Sequence, residues 1–126
     1  MNSIIFDIDG TLCPIKNPNE DYSDLVPYKA MVDKMALLKS KGFKIILFTS
    51  RNMRTYNGNI DLILKNTKPL LEQWLKKWNI VYDEIVFGKP WPGPDGIYVD
   101  DRTIRPRELV EKSPDEIEQL LIEGRL

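Results

Sequence analysis

The hydrophobic pattern of the chain alternates short apolar runs with longer amphipathic segments. Apolar, β-branched runs at 3–8, 43–48, 84–87 and 97–99 predict four strands. Helical spacing of apolar positions predicts a helix from 27 to 42, a second over 67–79 capped by Thr67, a short one near 107–110, and a last one beginning at Ser113. Strands that read as continuous apolar runs between helices are typical of a parallel sheet covered on both faces. We therefore predict an α/β fold, a Rossmann-like three-layer sandwich with a small, mainly parallel sheet.

Polar segments follow the first two predicted strands. Residues 13–24 contain two prolines and no hydrophobic periodicity, and residues 49–59 contain two arginines and three asparagines. Both segments are predicted to be exposed loops. In open parallel sheets, ligands bind at the carboxyl ends of the strands, where such loops begin.

Length and composition limit the chemistry that the chain can perform. Its 126 residues, of which 42% are hydrophobic and 29% charged, predict a single globular domain over 1–126. The sequence contains no histidine, which excludes His general bases and His-containing metal sites. Cys13 is the only cysteine, so we expect it to be a small buried hydrophobe and not a nucleophile. Carboxylates, hydroxyls and cations remain as the reactive groups.

Charge and hydropathy limit the classes of partner that we expect for this protein. A formal net charge of -1 provides no basic field for collecting phosphates, so we expect no nucleic-acid partner. The apolar runs are too short to cross a bilayer, and we expect a cytoplasmic protein without membrane contact. Exposed apolar helix positions in so small a domain favour a homodimer or homotetramer.

Reactive side chains follow every predicted strand. They are Asp7, Asp9, Thr49, Lys89, Asp100 and Asp101. Asp7 and Asp9 alternate with Ile8, which places their side chains on one face roughly 7 Å apart. Four carboxylates are thus expected to converge, and like charges about 4 Å apart repel by roughly 4 kcal/mol at an effective dielectric near 20. Such a cluster requires a cation or shifted protonation states. Oxygen ligands without His or Cys select Mg²⁺ or Ca²⁺, and carboxylate coordination that water and a phosphate oxygen complete favours Mg²⁺.

This set of groups is typical of phosphoryl transfer. Asp7 is predicted to attack phosphorus and become an aspartyl phosphate, and Asp9 to protonate the leaving alcohol and then deprotonate water. Thr49 is expected to donate a hydrogen bond to the phosphoryl oxygens, and Lys89 to neutralise charge in the transition state. Asp100 and Asp101 are expected to hold the metal, although Asp101 could instead pair with Arg102 or Arg105.

The same residues resemble the haloacid dehalogenase superfamily of phosphatases. FDIDGT at 6–11 matches the DxDxT signature, and Thr49, Lys89 and VDD at 99–101 match the other three motifs in order. The resemblance covers essentially the whole chain and implies that the main-chain carbonyl of Asp9 binds Mg²⁺. TSRNMRTYNGN and GKPWPGPDGIYVDDRTIRP resemble short members attributed to capsular or surface polysaccharide biosynthesis, which implies a pathway and not a particular substrate. The expected substrate is a small phosphorylated metabolite, which could be a sugar phosphate, a phosphorylated polyol or another small phosphomonoester. The segment between Lys89 and Asp100 is too short for the helix that family members usually have there, so we expect a sheet smaller than that of the family.

Members of this family commonly carry a cap domain, which this chain has no room for. The two insertion points hold only residues 13–26 and 52–66, so we expect an open, capless site. Polar residues near the strand ends are therefore predicted to contact the substrate: Ser50, Arg51, Asn52, Arg54 and Arg102. Trp91 could either pack its loop or form a wall of the pocket.

Two other functions are compatible with part of this pattern. A signalling receiver domain also combines acidic residues, a hydroxyl residue and a lysine on a parallel sheet, but its lysine comes last. In this chain Lys89 precedes the final acidic pair. A catalytically silent binding module is the other alternative. Hydrolysis of a phosphomonoester remains the leading hypothesis.

Overall fold

The computed structural model describes residues 2–126, whose internal contacts divide them into two compact units, 2–91 and 92–126. The first unit contains β1 (Ser3–Phe6), α1 (Lys29–Ser40), β2 (Lys44–Thr49), α2 (Ile60–Asn66), α3 (Lys68–Lys77) and β3 (Glu84–Phe87). The second contains α4 (Pro106–Glu111) and α5 (Pro114–Glu123). The single domain expected over 1–126 stays a prediction.

The three strands form one parallel sheet in the order β1-β2-β3. Ile5 of β1 lies opposite Ile46 of β2, and Phe48 of β2 lies opposite Val86 of β3. Because side chains alternate along a strand, the other face of β2 carries Ile45, Leu47 and Thr49, all of them buried. The parallel sheet confirms the predicted α/β class and is compatible with a Rossmann-like sandwich. All three carboxyl ends lie at one edge of this sheet.

The helices of the first unit follow from their apolar spacing and their ends. In α1 the buried positions Met31, Met35 and Leu38 recur at helical intervals. Gly42 ends this segment with φ +93, a conformation that L side chains rarely adopt. In α3 the buried residues include Trp74, whose indole Nε1 donates to the main-chain oxygen of Leu25 at 2.7 Å. This bond ties the segment after β1 to α3.

Two of the sequence predictions in this region are wrong. Residues 60–66, which were assigned no element, form α2, and the side chain of Asn59 caps it by accepting from the main-chain nitrogen of Leu62. Thr67 is not a side-chain cap for α3; it connects α2 to α3, and its hydroxyl bonds elsewhere. The helix itself begins one residue later, with Pro69 in its first turn.

The predicted fourth strand at 97–99 is not formed, and the sheet has three strands. Ile97 and Val99 are exposed at 80% and 89%, so their side chains are not part of a core. Three residues supply too few ladder hydrogen bonds to hold a strand by β-propensity alone. In the described residues, β3 is therefore an edge strand of the sheet.

In the second unit the two predicted helices are confirmed. The hydroxyl of Ser113 caps α5 by accepting from the main-chain nitrogen of Glu116 at 3.3 Å. The carboxylate of Glu116 in turn accepts from the main-chain nitrogen of Ser113 at 3.0 Å. Leu109 in α4 and Ile117 and Leu121 in α5 are buried. Of the helices in residues 2–126, none has the length and apolar character needed to span a membrane.

Candidate active site

The candidate site begins where β1 ends. Asp7 follows Phe6, and the chain then turns so tightly that the main-chain oxygen of Ile8 accepts from the nitrogens of Thr11, Leu12 and Cys13. Gly10 supplies the positive φ of +86 that this turn requires. Ile8 is buried, whereas Asp7 and Asp9 on either side of it are partly exposed, as the alternation predicts.

Asp7 lies beside Lys89, at the carboxyl end of β3. The Nζ of Lys89 is 3.4 Å from Oδ1 of Asp7, and the side chains are 19% and 33% exposed. Burial raises the pKa of the Asp7 carboxyl, and the nearby Lys89 ammonium opposes that rise. The main-chain nitrogen of Lys89 donates to the oxygen of Thr49 at 3.2 Å, which ties the ends of β2 and β3 together. The sheet therefore joins Asp7, Thr49 and Lys89 at one edge.

Asp9 is held by Arg51, which follows β2. The Nη2 of Arg51 donates to Oδ1 of Asp9 at 2.8 Å, and its Nε donates to Oδ2 at 3.2 Å. The guanidinium thus grips both carboxylate oxygens, an arrangement that fixes the plane of the carboxylate. The Arg51 side chain is 3% exposed and that of Asp9 24%. The observed partners of Arg51 are protein groups, and its predicted contact with substrate stays a prediction.

Two further contacts hold Arg51 in place. Its main-chain nitrogen donates to Oγ1 of Thr49 at 3.0 Å, and its guanidinium carbon lies 4.0 Å from the centre of the Tyr22 ring. Burial raises the pKa of the Tyr22 phenol. Lys16 stands over the same ring, with its Nζ 5.5 Å from the centre. No sequence pattern indicates that Tyr22 belongs to the site, because it lies in a loop predicted only to be exposed.

Cys13 also borders Asp9. Its Sγ is 3.7 Å from Oδ1 of Asp9, and the residue is completely buried. Burial raises the pKa of the Cys13 thiol to about 12. This environment is that of an inert thiol, as expected from the sequence.

The loop after β2 is organised by its own polar groups. The hydroxyl of Thr67 donates to Oδ1 of Asn52 at 2.7 Å, and Nδ2 of Asn52 donates to Oγ1 of Thr55 at 3.2 Å. The main-chain oxygen of Ser50 accepts from the nitrogen of Met53 at 3.0 Å. Asn52 therefore shapes the loop through both ends of its amide, and substrate contact by Ser50 and Asn52 stays a prediction.

Arg54 and Trp91 extend the site toward solvent. The guanidinium carbon of Arg54 lies 5.6 Å from the centre of the Trp91 ring, and Trp91 is 42% exposed. Trp91 is two residues beyond Lys89 in the sequence, and Arg54 is three residues beyond Arg51, which binds Asp9. An exposed aromatic face beside a guanidinium suits a polar or anionic ligand.

The remaining predicted residues belong to the second unit, where they make local contacts. Oδ1 of Asp100 accepts from the main-chain nitrogen of Arg102 at 2.8 Å, which forms a turn. Asp101 pairs with Arg125, 3.6 Å from its Nε, and not with either arginine considered from the sequence. Arg102 pairs with Glu118 at 3.2 Å.

Asp100 and Asp101 lie in the second unit, so their convergence with Asp7 and Asp9 of the first unit stays a prediction. Among residues 2–126, no group of three or more His, Cys, Asp or Glu side chains is arranged to hold a metal ion. The strand that was to deliver Asp100 and Asp101 to the sheet edge is not formed. Metal binding by these two residues rests on the sequence alone, whereas Asp7 and Asp9 lie together within the first unit.

Comparison with known proteins identifies two similar structures. A Vibrio cholerae protein of known crystal structure is 39% identical, with a TM-score of 0.93 over 99% of this chain and 100% of its own. A chain of a Pnkp1/Rnl/Hen1 complex is 21% identical over 89% of this chain and 35% of its own, with a TM-score of 0.51, so its likeness is one of fold alone. No family model and no curated protein matches the sequence.

Proposed function

We propose that this chain, which belongs to the same protein family as the Vibrio cholerae protein, is a magnesium-dependent phosphatase acting on a small phosphomonoester. The observation that most supports the proposal is the pairing of Asp7 with Lys89 at 3.4 Å. Asp9 stands two residues from Asp7 with both carboxylate oxygens held. A nucleophile, an acid–base group and a cation are thus available at one sheet edge, without a histidine.

Asp7 is the nucleophile in this proposal. A carboxylate oxygen of Asp7 forms a bond to phosphorus while the bond from phosphorus to the leaving oxygen breaks, which yields an aspartyl phosphate. Asp9 gives its proton to the leaving oxygen, so that an alcohol departs. In the second half, Asp9 takes a proton from water as the water oxygen attacks phosphorus, and the bond to Asp7 breaks. Phosphate is released, and both carboxyl groups regain their starting states.

Lys89 and Thr49 bind the phosphoryl group. The ammonium of Lys89, already beside Asp7, offsets negative charge that grows on the phosphoryl oxygens. The hydroxyl of Thr49 accepts from the nitrogen of Arg51, which leaves its own proton to donate to a phosphoryl oxygen. These donors are fixed before substrate arrives, because the bond from Lys89 to the oxygen of Thr49 joins the two strand ends.

The residues of the first unit fit a hard divalent cation. Asp7 is a partly exposed carboxylate whose pKa is raised by burial, a rise that the nearby Lys89 ammonium only partly opposes. The Asp7 carboxylate and the main-chain oxygen of Asp9 would hold Mg²⁺ together with water and a phosphate oxygen. When bound, Mg²⁺ supplies positive charge that offsets repulsion between the phosphate and the carboxylates.

The substrate is proposed to be a sugar phosphate or a related phospho-alcohol used in surface polysaccharide synthesis. The exposed pair Arg54 and Trp91 supports this choice, because a sugar ring can pack on an indole while its hydroxyl or acidic groups bond to guanidinium. The loops after β1 and β2 replace a cap, since each is too short to fold as a domain.

A panel of phosphate esters tests the proposal. The protein should release phosphate from p-nitrophenyl phosphate and from sugar phosphates when Mg²⁺ is present, and chelation should stop release. Asp7→Asn should be inactive, whereas Arg107→Ala, which changes an exposed arginine in α4, should match the wild type. Acetyl phosphate separates the alternatives. A stable phosphoprotein without turnover would indicate a receiver domain, and no reaction with any ester would indicate a binding module; either result would overturn the proposal.

A further inference from the structure

The surroundings of Arg51 differ from those of a residue that contacts a ligand. Its side chain is 3% exposed, although arginine is almost never fully buried without a partner. Its guanidinium donates two hydrogen bonds, one to each carboxylate oxygen of Asp9, at 2.8 and 3.2 Å. A substrate group would have to displace this pair in order to reach the guanidinium.

The pair with Asp9 is supported on three sides. The main-chain nitrogen of Arg51 bonds to Thr49, which fixes the start of the side chain. The Tyr22 ring lies 4.0 Å from the guanidinium carbon and covers the plane of the fork. The thiol of Cys13 lies 3.7 Å from Oδ1 of Asp9. Because each of these groups lies at contact distance, neither Arg51 nor Asp9 can turn without disturbing the others.

We infer that Arg51 is a positioning residue that orients the carboxyl group of Asp9 for proton transfer. It is not a residue that binds the leaving group. The inference rests on the proposed phosphatase function. A guanidinium keeps its protons at all pH values that proteins tolerate, so Arg51 acts only through Asp9. A carboxylate has about four acceptor positions, and the fork uses one on each oxygen. A position that remains can carry the proton that the Asp9 carboxyl group gives to the leaving oxygen or takes from water.

A positioning role and a ligand contact differ in how the loss of activity on removing Arg51 depends on the leaving group. Benzyl phosphate and p-nitrophenyl phosphate are similar in size, but benzyl alcohol is a poor leaving group that needs a proton, whereas p-nitrophenolate departs without one. Removing Arg51 should therefore harm the first substrate more than the second. Neither leaving group carries an acidic group for an arginine to bind.

The experiment compares kcat/KM for both substrates in Arg51→Ala, Arg51→Lys and the control Arg107→Ala. We expect Arg51→Ala to lower kcat/KM by about 100-fold for benzyl phosphate and by less than about 10-fold for p-nitrophenyl phosphate, since proton transfer contributes about 10²–10⁴-fold. Added guanidinium ion should restore part of the benzyl phosphate activity. Arg51→Lys keeps the charge but loses the fork, so it should show the same selective loss. The control should match the wild type.

Thermal melts identify variants that fold, and Arg51→Lys decides the question if Arg51→Ala does not. Equal losses on both substrates without rescue, or a rise in KM alone, would overturn the inference while leaving the phosphatase proposal standing. A wild-type protein that hydrolyses neither substrate would overturn the phosphatase proposal, and the positioning role would fall with it.

Discussion

The Nζ of Lys89 lies 3.4 Å from Oδ1 of Asp7, although Asp7 follows the first strand in the sequence and Lys89 follows the third. We expect Lys89→Ala to lower turnover by about 10²–10³-fold, the usual effect of removing one preorganised charge-stabilising donor. Lys89→Arg should recover only part of that loss, because its planar fork differs from a compact ammonium. Steady-state kinetics with p-nitrophenyl phosphate measure both variants. A turnover for Lys89→Ala equal to that of the wild type would contradict the assigned role.

Asp9 should contribute more to proton transfer than to metal binding. Asp9→Asn is expected to reduce turnover by about 10²–10⁴-fold, because an amide cannot serve as acid or base. Its affinity for Mn²⁺, measured by electron paramagnetic resonance as a probe for Mg²⁺, should change much less, since the metal is assigned to the main-chain oxygen. The variant should also melt at a lower temperature, because Arg51 loses its anion. Equal loss of turnover and metal affinity would contradict this division of roles.

Gly88 positions Lys89 through its backbone. It has φ +88, and a Cβ there would meet Cδ1 of Ile60 at 2.7 Å, at the end of a side chain that is 41% exposed and can move. Gly88→Ala and the matched control Gly42→Ala, where φ is +93 and the space is open, should each lose roughly 1–2 kcal/mol of unfolding free energy. Only Gly88→Ala should also lose turnover. Urea melts and kinetics on both variants check this, and unchanged kinetics in Gly88→Ala would refute it.

Asp83 stabilises the start of the sheet in a pH-dependent way. Its carboxylate accepts from the main-chain nitrogen of Ile45 at 2.7 Å and from Lys39 at 2.5 Å, and these bonds lower its pKa from the ordinary 3.8. Because the folded pKa is below the unfolded one, the stabilisation is present above pH 3.8 and is lost as pH falls through the folded value. Asp83→Asn should thus melt below the wild type at about pH 6 and approach it near about pH 2. Asp33→Asn, which removes an exposed pair with Lys29, should change the melting temperature little at either pH.

Much of the fold could be predicted because the relevant signals are local. The buried alternation of Ile45, Leu47 and Thr49 and the helical spacing of Met31, Met35 and Leu38 each follow from periodicity, and the parallel order then brings the strand ends together. The approach of Lys89 to Asp7 was expected on that basis alone. The chemical roles of these residues were not tested by the fold.

Other features could not be predicted because the deciding contacts are distant or absent. The segment that forms α2 is only 7 residues long, and its apolar residues Leu62, Ile63 and Leu64 are consecutive, so its pattern does not distinguish a helix from a strand. The run at 97–99 has the composition of a strand, but composition cannot distinguish a paired strand from an exposed segment. The grip of Arg51 on Asp9 depends on where Tyr22 and Thr49 lie around it, and no local pattern records that arrangement.

Covalent trapping tests the central claim most directly, because it asks whether Asp7 carries the phosphoryl group. The protein is mixed with substrate and Mg²⁺, quenched in acid, reduced with borohydride and digested for mass spectrometry. An aspartyl phosphate is reduced to homoserine, so the account predicts homoserine at position 7 in the wild type and at no position in Asp7→Asn. Rapid phosphate release without any modification at position 7, or with homoserine at position 9, would contradict it.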